Sequence, residues 1–68
     1  MTPTELREAR RKLRLTLEQM APLLGYEGKH GVTDVYRLES GTRTIRPAQR
    51  RLIEAYLRGY RPKDWPQD

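Results

Sequence analysis

The sequence predicts an all-α fold: a compact bundle of four short helices followed by a non-helical C-terminal tail. Three observations predict it. Apolar residues recur at three- and four-residue steps in four separate segments. Each segment opens on a capping signal, a glycine or a proline, and Gly25, Gly41 and Gly59 close the last three. There is no cysteine, so neither a disulfide framework nor a thiolate metal site is available to hold 68 residues together.

The first helix starts at Thr2 as N-cap, with Pro3 at the first helical position and Glu5 placed to complete a capping box. Leu6, Ala9 and Leu13 make its buried stripe, and Arg7, Arg11 and Arg14 make a separate basic stripe. The second helix repeats the device with Thr16 and Gln19, and Leu15 and Met20 are spaced as a hydrophobic staple. Leu17, Met20, Ala21 and Leu24 are expected to face the core. Pro22 sits inside this helix, where it removes a backbone bond and predicts a kink or an early tightening.

The third helix, Gly31 to Ser40 with Gly41 as its stop, organises the rest. At about 100° per residue, Gly31, Val35 and Leu38 fall on one side while Thr33, Tyr36 and Arg37 fall on the other. The fourth helix runs from Pro47 to Gly59, with Ala48, Leu52, Ala55 and Tyr56 as its expected core stripe and Ile53 and Leu57 further round. The tail carries Tyr60, Trp65 and two prolines; it either folds back over the core or reaches a partner.

Set in order, Leu15-Thr16, Met20-Ala21-x-x-Leu24-Gly25 and Val35-x-Arg37-Leu38-Glu39-Ser40-Gly41, followed by Arg43 and Pro47, make a pattern. It resembles the Cro/C1-type (XRE-like) helix-turn-helix family of phage and bacterial DNA-binding regulators. The resemblance covers about residues 3–58 and implies a lambda-repressor-like domain over 1–58 and a separate tail over 59–68. It implies that the second and third helices form the helix-turn-helix. It also implies that Arg10 of the first helix pairs with Glu39 as a structural ion pair, and that the loop after the third helix lies along the DNA backbone. The chain departs from the pattern in three places. Arg14 stands where the family often has glycine. Leu17 stands where it often has a phosphate-binding glutamine. The turn Tyr26–Gly31 is several residues longer.

Charge agrees with such a partner. The net charge is +5, and eleven of the fourteen cations are arginine, the residue suited to phosphate and guanine. The sequence pI is about 10.1. The tail is neutral, so the whole excess lies in the first 58 residues. From placement on the third helix, Thr33 and Arg37 are the expected base readers, with Val32 able to meet a thymine methyl and Tyr36 a base or phosphate. Thr16, Lys29, His30, Arg43, Thr44, Arg46 and Arg50 are the expected backbone contacts. The expected partner is a palindromic duplex operator bound by a homodimer, joined through Ile53, Leu57, Tyr60 and Trp65.

The expected function is sequence-specific duplex binding as a small cytoplasmic repressor that controls its own operon. A protein-interaction module, such as an antitoxin or assembly adaptor, is the competing class. An enzyme is a poor third, because no nucleophile–base set or phosphate-cradling glycine loop is visible. A lone His30 without a second ligand argues against a metal, and no cofactor or small-molecule ligand is expected. No apolar run is long enough for a membrane span or a signal-peptide core.

Overall fold

A computed structural model of the chain describes residues 1–66. Four helices appear: α1 (Pro3–Lys12), α2 (Leu17–Leu23), α3 (Gly31–Ser40) and α4 (Pro47–Leu57). There are no strands among the described residues. None of these helices is long and apolar enough to cross a membrane. The α3 helix packs on both α2 and α1, and α4 closes the bundle against α1. Leu6, Met20, Val35, Leu38 and Ile53 are fully buried, so every helix contributes to one core.

The helix ends follow from local chemistry. Thr2 and Glu5 exchange hydrogen bonds as a capping box, with Thr2 N–H donating to Glu5 Oε1 at 2.7 Å and Glu5 N–H to Thr2 Oγ1 at 3.1 Å. The Thr2 N–H holds the Glu5 carboxyl below its ordinary range. Thr16 and Gln19 make the same exchange at 3.0 and 3.1 Å. Pro22 does not continue α2 beyond one further residue. The helix stops at Leu23, and Tyr26 N–H donates to Ala21 O at 2.9 Å while Gly25 N–H donates to Pro22 O at 3.1 Å. That is a Schellman closure, and Gly25 takes its left-handed position at φ 91°. Helix α1 closes by the same pair of bonds, Leu15 N–H to Arg10 O and Arg14 N–H to Arg11 O, but with Arg14 in the left-handed region at φ 58°. A side chain there is strained, so the departure at Arg14 is a real cost.

Helix α4 corrects one expectation. Its inward stripe is Gln49, Ile53 and Tyr56; Ala48 and Leu52 are exposed and Ala55 only half-buried. A polar residue faces in because it has work there. The short α2 leaves its last carbonyls without intrahelical donors. Gln49 Nε2 donates to Leu24 O at 3.3 Å and Tyr56 Oη donates to Leu23 O at 2.9 Å. Burial pushes the Tyr56 phenol up from its ordinary value.

Candidate nucleic-acid interface

The position of α3 is fixed from behind. Val35 and Leu38 are fully buried, and Glu39 is 5% exposed. Arg10 reaches Glu39 with two parallel bonds, Nε to Oε2 at 2.6 Å and Nη2 to Oε1 at 3.2 Å, and donates Nη1 to Leu15 O at 3.0 Å. This forked geometry ties α1, the first turn and α3 together. Arg7 is not part of a free basic stripe: its Nε lies 3.6 Å from Glu39 Oε1. At the other end of α3, a Cβ on Gly31 would stand 2.8 Å from Ala21 Cβ. Only glycine lets α3 approach α2 this closely.

The front of α3 is open. Thr33 and Arg37 are exposed, Val32 is 41% exposed and Tyr36 58%. Among the described residues no carboxylate lies within ion-pair distance of Arg37. One helix face thus offers a forked donor, a hydroxyl, a phenol and a methyl pair, the groups that read base edges. At the mouth of the helix, Lys29 and His30 are exposed. His30 occupies the N-cap position without a side-chain cap, at φ −97° and ψ 5°. The first-turn amides of α3 therefore have no side-chain acceptor from the N-cap, and Gly31 N–H donates instead to Gly28 O at 3.4 Å. Glu18, Glu27 and Lys29 line a cleft of about 580 Å³ between α2, the long turn and Val32.

The flanking residues divide. Thr44 and Arg46 are exposed in the connection between α3 and α4. Thr16 is exposed, but its N–H and Oγ1 already serve the capping box, leaving only the hydroxyl proton to offer. Arg50 spans one turn to Glu54 at 3.3 Å, an exposed pair that holds weakly. Arg43 is not the free cation expected. Its Nη1 donates to Asp34 Oδ1 at 3.0 Å, and its Cζ lies 5.7 Å from the centroid of the Tyr26 ring.

Two of the expected dimer residues are elsewhere. Ile53 is fully buried in its own chain's core, so it is unavailable to a partner. Trp65 packs edge-on against Tyr56 with centroids 5.3 Å apart, and Arg61 Cζ lies 4.1 Å over its ring. Arg61 Nη1 in turn donates to Tyr56 O and Tyr60 O at 2.8 Å, capping the end of α4. The tail thus folds back onto its own helix. Leu57 at 45% and Tyr60 at 55% remain exposed, and Leu52 at 37% joins them.

Sequence reasoning missed Gln49, Tyr26 and Asp34. Gln49 Nε2 donates to Tyr26 Oη at 2.9 Å as well as to Leu24 O, so the long turn is anchored to the core beside α3. A glutamine spaced four and seven residues before Ile53 and Tyr56 was the available signal, since that spacing is an inward stripe if the glutamine finds partners. No family model, curated protein or solved structure matches the chain.

Proposed function

We propose that the protein binds double-stranded DNA sequence-specifically, with α2, the long turn and α3 acting as a helix-turn-helix, and serves as a small cytoplasmic transcriptional repressor. The observation that carries this reading is the two-sided character of α3. Its back is pinned by Glu39, Val35 and Leu38, and its front presents Val32, Thr33, Tyr36 and Arg37 unpaired to solvent. A chain of net charge +5 and the ordered Cro/C1-like motif add support. In this reading Thr33 and Arg37 read bases, while Lys29, His30, Thr44 and Arg46 hold the backbone.

The test is competition between a selected operator and random duplex, for wild type and Arg37→Ala. Loss of a bidentate arginine–guanine contact costs about 1–3 kcal/mol and relaxes preference at one position. Equal weakening on every sequence would make Arg37 a phosphate contact.

The working unit we propose is a homodimer on a palindromic site, with its two α3 helices roughly 34 Å apart. Exposed Leu57 and Tyr60 at the C-terminal end of α4 support the surface. Leu57→Asp is expected to convert two chains per operator to one, measured by mass in solution with and without DNA. One wild-type chain per operator, with a single half-site footprint, would remove the dimer. The same apolar surface favours a second reading, an interaction module that docks another protein; absence of salt-sensitive duplex binding would select it.

A further inference from the structure

We propose that Asp34 is a built-in counter-charge that withholds Arg43 from the DNA backbone, so that this arginine and its carboxylate enter the complex as a neutral pair. The inference rests on the DNA-binding reading above. Asp34 lies in the first turn of α3, at the edge of the face that carries Thr33 and Arg37. An unpaired carboxylate there would repel phosphate. It is instead met by Arg43, nine residues on, at 3.0 Å. The Asp34 side chain is 20% exposed and that of Arg43 41%, so the pair is shielded on the acid's side.

Arg43 is held from a second direction by the Tyr26 ring, and Tyr26 is itself fixed by Gln49. Backbone geometry adds a third restraint, since Arg43 N–H donates to Arg37 O at 3.1 Å. The loop after α3 therefore turns one edge of its arginine toward α3, with the side chain still 41% exposed. A phosphate that meets Arg43 through its remaining N–H donors has the Asp34 carboxylate beside it, so the charge it finds there is already offset.

The experiment measures affinity for one duplex over a range of salt, for wild type, Asp34→Asn, Arg43→Ala and the double variant. Each phosphate neutralised adds about 0.9 to the slope of log K against log salt. If the pair is neutral in the complex, Asp34→Asn releases Arg43, steepens the slope by about 0.9 and tightens binding about five- to tenfold at 0.1 M salt. Arg43→Ala bares the carboxylate and weakens binding, and the double variant returns to wild type. If Asp34 is a bystander, Asp34→Asn changes nothing and the double variant binds as weakly as Arg43→Ala; that pattern overturns the inference. Wild type with no salt-sensitive duplex binding overturns the DNA-binding reading and the inference with it. Wild-type helicity in all three variants excludes unfolding as the cause.

Discussion

Helices α2 and α3 pack on each other, yet their N-termini are treated in opposite ways. Helix α2 enters from an extended Thr16, at φ −80° and ψ 167°, whose side chain and that of Gln19 satisfy one another's backbone. Helix α3 enters from His30 at ψ 5°, with no side-chain acceptor on its amides. The C-terminal ends do not differ in this way: Leu23 O and the C-cap Leu24 O accept from Tyr56 and Gln49, and Arg37 O of α3 accepts from Arg43 N–H and Ser40 Oγ. The front of α3, by contrast, carries exposed Val32, Thr33, Tyr36 and Arg37. The difference teaches where this small chain satisfies its own polar groups and where it leaves them for something else. A domain of this size has little surplus stability. The front of α3 leaves four side chains to solvent while its back is held by Glu39, Val35 and Leu38.

That restraint is the place to expect the largest effect. Glu39→Ala leaves Arg10 without its carboxylate while Leu15 O still holds it in place. Stranding a charge in a mostly buried site costs about 3 kcal/mol. For a domain of this size each kcal/mol lowers the melting temperature by about 4–8 °C. Thermal unfolding followed by circular dichroism reads the loss. An unchanged melting temperature would mean that the pair orients α3 without stabilising the fold, and that the contrast between its two faces is weaker than the geometry suggests.

Gly31→Ala acts on the contact between the two helices. The new Cβ would lie 2.8 Å from Ala21 Cβ, so α2 and α3 must move apart. Overpacking of this kind costs about 1–3 kcal/mol. Ala21→Gly removes the opposing atom, so the double variant should recover part of the loss, with a coupling of about 1 kcal/mol. Additive losses in denaturant melts would show that the helices have slack at this point.

Much of this was legible in the sequence. Capping boxes at Thr2 and Thr16 use partners three residues apart, and the inward set Gly31, Val35, Leu38 follows from helical period alone. What was not legible depends on residues meeting through the fold. Gln49 faces in because Leu24 O, 25 residues earlier, needs a donor. Arg43 and Asp34 meet because Gly41 at φ 86° turns the chain back along α3. Ile53 is core and not interface because that inward glutamine sets the rotation of α4. Each depends on the angle at which a helix docks, and apolar counts around a wheel leave that angle open to about one residue step.

The smallest expected effect is the sharpest test of the contrast between the two N-termini. Thr16→Ala removes the acceptor for Gln19 N–H, while the backbone N–H of residue 16 still donates to Gln19 Oε1, at a cost of about 1 kcal/mol. By composition alone, the opposite substitution at α3, His30→Ser, should gain a similar amount, since serine is among the best caps. The backbone argues otherwise. Thr2 and Thr16 both cap from extended ψ of 160° and 167°, which aims the side chain back over the first turn. His30 sits near ψ 5°, so a short hydroxyl there is aimed away from the amides it would have to reach. The expected change in stability is therefore close to zero, with duplex binding weakened only by loss of the proposed His30 contact itself. A stabilisation of about 1 kcal/mol in His30→Ser would mean that the turn can swing into the capping conformation. The openness of α3 would then be a property of one histidine and not of the path the long turn imposes on it.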